Sequence, residues 1–410
     1  MKKTNINLHI TLLYLVILSP YFSSWLPSIA GMPVGPILRQ AIFGIIFCIA
    51  IFFTKKPENT DVRKIVQIYV LVCILTVISF AYGPSSPVQY AVGVASFIFY
   101  PATFLFALIL LDAETAEENN ETFFLFDNFF ITFFIAVAAV GSLDVALDGK
   151  LVEFFGYNPN YGGDDFSLIT SYNGVVRANA GISDALAFGY LMSVAIIYFF
   201  NRSGRITSQV NTIGIMICTI ACMLSLTRGA MISVFFTFAI YMFTFKRLAI
   251  LILLLPVAVY LISISPYADL FLGRFTDSDE SSETSSLLRI IMAINSIDFL
   301  SQNPMGIGIG TQGAGNTLSD TDNRLNTDNY IFHIFLELGL FFGMAFIYFL
   351  LKQFLYAFKR IESNKFIASY TLLFIISASL SSSIAFATLG VIYWFVLYLT
   401  TLESKLANET

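Results

Sequence analysis

What most constrains this chain is the recurrence of apolar runs long enough to cross a bilayer. Spanning the hydrocarbon core takes roughly 20 mainly apolar residues. Polar or Pro/Gly punctuation divides the sequence into about twelve such runs, near 7–25, 36–54, 64–82, 88–111, 124–146, 183–200, 210–226, 228–245, 247–265, 329–351, 366–384 and 386–402. Of the 410 residues 57% are hydrophobic and only 12% are charged, about half the charged share of a soluble domain. Aromatics make up 16%, with 43 Phe and 20 Tyr, which suits lipid-facing and interfacial surface. The sequence therefore predicts an all-α polytopic membrane protein of about 12 transmembrane helices, with residues 1–410 as one integral membrane domain. The first run is too long for a signal peptide and lacks a small-residue cleavage site, so it is expected to stay as a helix.

Composition also narrows the partners. A formal charge of −5 without a clustered basic face gives no support for nucleic acid; membrane lipid is the expected surrounding. Cys48, Cys73, Cys218 and Cys222 lie inside apolar runs without His or acidic neighbours, and read as packing residues rather than metal ligands. No internal repeat supports a carrier built from two similar halves. Intramembrane acids are few, with Glu337 the main case and Asp127, Asp144 and Asp184 near helix ends, fewer than a proton-coupled carrier would need.

Short cytoplasmic loops retain Lys and Arg. With both termini cytoplasmic, 15 of the 22 bases fall inside: Lys2, Lys3, Lys55, Lys56, Arg63, Lys64, Arg202, Arg205, Lys246, Arg247, Lys352, Lys359, Arg360, Lys365 and Lys405. The rest are Arg39, Lys150, Arg177, Arg228, Arg274, Arg289 and Arg324, of which six are arginines. Two outer loops are too long to be connectors. The first, 147–182, carries Phe154, Phe155, Tyr157 and Tyr161, which suit stacking on sugar rings or anchoring at the interface. The second, 266–328, lies between spans nine and ten. In it Leu287, Leu288, Ile291, Ile294 and Ile297 recur at helical spacing, with Ser285 as N-cap and Asn303-Pro304 as the stop. That predicts an amphipathic helix on the outer membrane face.

A guanidinium offers a planar fork of donors matched to phosphate oxygens. Arg177 opens Arg177-Ala178-Asn179-Ala180-Gly181 before the sixth span, and Arg228 sits in Ser225-Leu226-Thr227-Arg228-Gly229-Ala230 at the turn joining spans seven and eight. Arg289 is on the amphipathic helix and Arg39 is in the outer part of span two. Snorkelling to the interface explains such arginines singly; together they suit one anion at the membrane surface. The run Pro304-Met305-Gly306-Ile307-Gly308-Ile309-Gly310-Thr311-Gln312-Gly313 contains a formal GxGxxG, but no strand precedes it, so a dinucleotide site does not follow. Its glycines allow close backbone approach. Asp328-Asn329-Tyr330 then leads into a span holding His333 and Glu337-Leu338-Gly339. His9, the other histidine, lies near the cytoplasmic end of span one.

In this order the motifs resemble those of the O-antigen polymerase and O-antigen ligase superfamily, over about 170–345 by motif and over the whole chain by span layout. The resemblance implies an enzyme of the bacterial inner (cytoplasmic) membrane that transfers lipid-linked glycans on its outer side. The implied substrate is undecaprenyl pyrophosphate bearing an oligosaccharide repeat, and a polysaccharide chain-length regulator is the implied partner. Ligases of this family have His-Asn where this chain has Asp328-Asn329, so the resemblance favours the polymerase.

Breaking the sugar–phosphate bond builds negative charge on the departing pyrophosphate, which fixed arginines stabilise. Arg177, Arg228 and Arg289 are assigned to that role, with Arg39 and Arg274 as further candidates. A base within reach of the incoming sugar hydroxyl would assist. Asp328 is the first choice by position, with His333 and Glu337 as alternatives. Asp328 equally suits the N-cap of span ten, and Glu337, about two turns inside that span, suits an interhelical hydrogen bond. Tyr157, Tyr161, Asn329 and Tyr330 are the candidate glycan contacts. No cofactor and no metal are expected: Asp164-Asp165 and Asp277-Ser278-Asp279 read as solvated loop acids. The competing expectations are a ligase moving finished polymer to lipid A-core, or a non-enzymatic polysaccharide or lipid-linked-sugar transporter.

Overall fold

The computed structural model describes residues 59–80, 93–111, 116–151, 175–181, 184–202, 207–242, 280–311, 329–381 and 387–409. It also describes Tyr90, Ser171, Tyr172, Thr327, Ile384 and parts of 10–18 and 41–49, and gives Ala116, Ser171, Tyr172, Val175, Ser208, residues 280–288, Ala387, Thr388 and Glu409 as backbone alone. The expected span 247–265 lies outside the described residues, as do most of 7–25 and 36–54.

The helices follow the apolar runs, with ends set by local caps. Helix α1, Thr60–Phe80, begins before its apolar run because Asn59 Oδ1 accepts the Asp61 amide at 2.9 Å, filling one of the orphan donors of the first turn. Helix α2 is Thr103–Leu111. Helix α3, Ala116–Ala146, starts on the polar stretch bearing Glu117 and Glu118, acids that suit the positive end of the helix dipole. Helix α4, Ala185–Asn201, is capped by Asp184, whose side chain accepts the Ala187 amide. Helices α5, Ser208–Leu224, and α6, Arg228–Met242, are separated by three residues. Helix α7 is Glu280–Gln302, α8 Tyr330–Phe358, α9 Asn364–Leu380 and α10 Ala387–Glu409. In the first long loop, strands β1, Ser171–Tyr172, and β2, Val175–Val176, form a short antiparallel ladder, a small departure from an all-α architecture.

Helix α4 is the axis of the bundle. From Ala187 to Phe199 every residue is buried, and α5, α6, α9 and α10 all pack against it. A helix apolar all round belongs at a centre. The outer helices instead present apolar rows outward: Leu71, Ile74 and Ile78 on α1, Ile213, Met216 and Ile220 on α5, and Phe341, Met344, Tyr348, Leu351 and Leu355 on α8. Such rows suit lipid and would be costly in water. Thr60–Phe80, Glu117–Ala146 and Tyr330–Phe358 are each long and apolar enough to cross a membrane. The fold is that of a helical membrane protein.

Two expected spans are broken. The run 88–111 divides into a π-helical turn, Ala95–Phe99, and α2, because Pro101 lacks the amide that would continue the ladder. Polar side chains take up carbonyls freed at the break: Tyr69 donates to Ile98 O at 3.0 Å and Gln353 Nε2 to Pro101 O at 3.0 Å. Non-helical backbone within a membrane survives where such partners exist. Helix α8 breaks at Gly339, which has φ 75° and ψ 174°. There Leu336 O accepts the Ile307 amide at 2.7 Å and the Leu340 amide donates to Pro304 O at 2.8 Å.

One of the bases counted as cytoplasmic is built into the bundle. Arg202 is wholly buried at the C-terminal end of α4. Its Nε lies 3.0 Å from Asp127 Oδ1, its Nη1 pairs with Glu403, and its guanidinium stands 4.5 Å from the Phe123 ring centroid. Tyr198 donates to the same Asp127, and Asn201 Nδ2 to Glu403 at 3.2 Å. The cluster joins α3, α4 and α10. Hydropathy counting assigns a base to a side of the membrane but cannot see carboxylates arriving from distant helices.

Candidate active site at the Arg228 end of the bundle

The opposite end of α4 carries two of the sequence-predicted arginines, Arg177 and Arg228. Helix α5 ends at Leu224, and Ser225 folds its hydroxyl back onto Cys222 O at 2.6 Å. Leu226 takes φ 52°, reversing the chain. Helix α6 then opens on Arg228, with the Met231 amide donating to Thr227 O at 3.0 Å. Thr227 Oγ1 ties the turn to the start of α4 by donating to Ala185 O at 2.9 Å, and the Ala178 amide ties in the preceding segment through Leu224 O at 3.0 Å.

Arg177 is built into this turn. Its Nε donates to Ser225 O at 2.8 Å and its Nη2 to Thr227 Oγ1 at 3.2 Å. Both acceptors are neutral, so these bonds fix the plane of the guanidinium without cancelling its charge. Thr227 is the residue before Arg228, and the two arginines thus share one turn; both are half-buried. Gly229 is required here by close approach: a Cβ on it would stand 2.1 Å from the Tyr190 hydroxyl and 3.3 Å from Leu380 Cδ1. Arg177 and Arg228 accordingly meet at the Ser225–Gly229 turn, while Arg289 is exposed on α7.

The start of α8 reaches the same place through α9. Asn329 Nδ2 donates to Ser379 O at 3.0 Å, one residue before the Leu380 that meets Gly229. Asn329, not Asp328, is the N-cap of α8: its Oδ1 accepts the Ile331 amide at 2.9 Å and the Phe332 amide at 3.2 Å. The amide side chain suits both tasks because it carries an acceptor and donors together.

Deeper in α8 the alternatives for the base are enclosed. His333 is 4% and Glu337 1% exposed. His333 Nε2 stands 3.8 Å from Glu337 Oε1, and its ring packs 5.8 Å from that of Phe97. Glu337 Oε2 accepts the Gly310 amide at 3.0 Å. Tyr330 is 3% exposed and borders an apolar groove between α8 and α9 with Ile334, Leu351 and Phe374. Helix α7 runs five residues further back than expected, so Ser285 lies within it rather than capping it; its end at Gln302, before Asn303-Pro304, is as expected. Ile291, Ile294 and Ile297 are exposed, the apolar face the spacing predicts. Asp328, Arg39, Arg274, Tyr157 and Tyr161 lie outside the described residues. Sequence reasoning missed the groups that orient Arg177, namely Ser225 and Thr227, although both stand in the motif that drew notice to Arg228. It also missed Tyr190, for which the sequence carries no signal.

Fold and site define a helical membrane protein in which Arg177 and Arg228 share one turn at one end of the bundle. Residues 213–348, from α5 to the middle of α8, match a family model described as O-antigen ligase. A curated O-antigen polymerase from Salmonella muenchen is 36% identical over 386 residues, covering 90% of this chain and 96% of that protein. The chain belongs to the O-antigen polymerase and ligase family.

Proposed function

We infer that this protein is a glycosyltransferase that polymerises undecaprenyl-pyrophosphate-linked oligosaccharide repeats into O-antigen or a related surface polysaccharide. The reaction breaks the bond between the anomeric carbon of one repeat and its pyrophosphate, and forms a glycosidic bond to a sugar hydroxyl of another. Undecaprenyl pyrophosphate departs with the bonding electrons, and the hydroxyl proton goes to a base. The observation that carries the reading is the joining of Arg177 to the Arg228 turn through Ser225 and Thr227. The oriented guanidinium of Arg177 beside Arg228, with Arg289 of α7 as the proposed third, suits a diphosphate on which charge grows as the bond breaks. Such a leaving group departs without protonation, so the chemistry calls for neither a metal nor a cofactor. Arg39 and Arg274 are further candidates for the same anion, and Tyr157, Tyr161, Asn329 and Tyr330 for the glycan. Asp328, next to the capping Asn329, remains the first choice of base over the enclosed His333 and Glu337.

The membrane setting we propose is the inner membrane, with about twelve spans, both termini cytoplasmic, and 147–182 and 266–328 as periplasmic loops. Supporting it, Lys365 Nζ bonds Tyr241 O at 3.1 Å near the Phe200–Tyr241 ring stack. That end of α4 also holds Glu403, away from the Arg177 end. The exposed isoleucines of α7 suit an interfacial helix. A chain-length regulator is a proposed partner.

Purified protein in vesicles, supplied with lipid-linked repeats alone, tests the reading. Products that lengthen by whole repeats support it. Transfer only when lipid A-core is added would make the protein a ligase, the activity in the matching family description. Glycan recovered unchanged would leave a transporter.

A further inference from the structure

The Gly-rich segment between α7 and α8 is inserted into α8. In an unbroken helix the Leu340 amide would donate to Leu336 O, four residues back. Here the loop takes both groups, Leu336 O accepting from Ile307 N at 2.7 Å and Leu340 N donating to Pro304 O at 2.8 Å. Glycines make this approach possible. Gly306 and Gly339 have φ of 77° and 75°, and a Cβ on Gly306 would fall 2.6 Å from Gly339 N, while one on Gly339 would fall 2.5 Å from Met305 C. At the far end of the insert Gly310 lies against Gly93, where a Cβ would stand 2.4 Å from Gly310 N. The side-chain bond at this end runs from the Gly310 amide to Glu337 Oε2, buried and 3.0 Å long.

We propose that Glu337 is a positioning residue. Its carboxylate fastens the 304–310 insert into the break of α8 and thereby sets where α7 holds Arg289. The insert follows α7 directly after Gln302, and Arg289 stands about four turns back along the same helix. A shift of the insert is therefore carried to Arg289 as a movement of the whole helix. The bond from Gly310 requires of Glu337 an acceptor, so glutamine should serve in that role, whereas a base in its place could not be replaced by an amide. The role of Arg289 in this inference rests on the pyrophosphate reading above; the fastening of α7 does not.

The test compares Glu337→Gln with Glu337→Ala in the full-length protein, with Cys48 and Cys73 replaced by Ser. A spin label is placed at Ile297→Cys, which lies on α7 and is exposed. Glu337→Gln is expected to keep turnover within about threefold of the parent, with an unchanged pH profile and label spectrum. Glu337→Ala is expected to loosen the label and lower kcat/KM for the lipid-linked donor by about tenfold or more, the loss typical of a hydrogen bond to a charged group. Loss of activity in Glu337→Gln with an unmoved label would overturn the proposal, and so would Glu337→Ala with a parental label spectrum. If the label loosens but activity holds, α7 is fastened as proposed and it is the pyrophosphate reading of Arg289 that fails.

Discussion

The two ends of α4 both hold arginine close against the bundle, and they treat it in opposite ways. Arg202 is wholly buried and faces two carboxylates, Asp127 and Glu403, with an aromatic ring beneath it. Arg177, at the other end, is half-buried and bonded to a backbone carbonyl and a hydroxyl. Carboxylates face the first; a carbonyl and a hydroxyl orient the second. Carboxylates arriving from other helices tie the bundle together, whereas neutral oxygens set the plane of a guanidinium, the arrangement that suits binding of an anion. The same residue type thus serves as a fastening at one end and, in our reading, as a binding group at the other.

Removing Arg202 should break the comparison hardest. Arg202→Met leaves Asp127 and Glu403 without their shared cation, and loss of one partner from a buried ion pair costs about 3–5 kcal/mol. Thermal unfolding in detergent should show that loss, while the fraction still folded turns over normally. Adding Asp127→Asn and Glu403→Gln should restore part of it. At the opposite end, Arg177→Ala should lower kcat/KM for the lipid-linked donor by about 100-fold with a much smaller change in unfolding temperature. Parental kinetics in Arg177→Ala would place it with Arg202 as a fastening.

Gly339→Ala comes next. It sets a side chain at φ 75° against Met305, and strain of that kind costs about 1–3 kcal/mol. Hydrogen exchange should increase in 304–310 ahead of the rest of α8. Asn329→Ala should have the smallest effect, about 1 kcal/mol for a lost N-cap. Asn329→Asp should recover the cap but not the bond to Ser379, which separates the two tasks by unfolding temperature.

How much of this was legible in the sequence depends on whether the interaction is local. Apolar runs locate the helices because hydrophobic length is a property of consecutive residues, and Asn303-Pro304 correctly ends α7. The breaks at Pro101 and Gly339 fall inside apolar runs, and each depends on partners from elsewhere: Gln353 for one, the 304–307 backbone for the other. The arginines of the site were visible as residue types in motifs. The contacts that join Arg177 to the Arg228 turn were not, because Arg177 reaches its acceptors 48 and 50 residues along the chain. The burial of Arg202 was not legible for the same reason, and Ser285 was misread because α7 continues through a polar, Ser-rich stretch that favours caps when read alone.

The central claim is that the arginines of the Ser225–Gly229 turn bind the pyrophosphate during chain growth. Its most direct test is turnover of purified Arg228→Ala and Arg228→Lys on lipid-linked repeats, with thermal unfolding measured on the same samples. Both variants should insert and unfold as the parent does, and both should lose about 100- to 1,000-fold in turnover, since a lysine keeps the charge but not the fork of donors. Full polymerisation by Arg228→Ala would contradict the account.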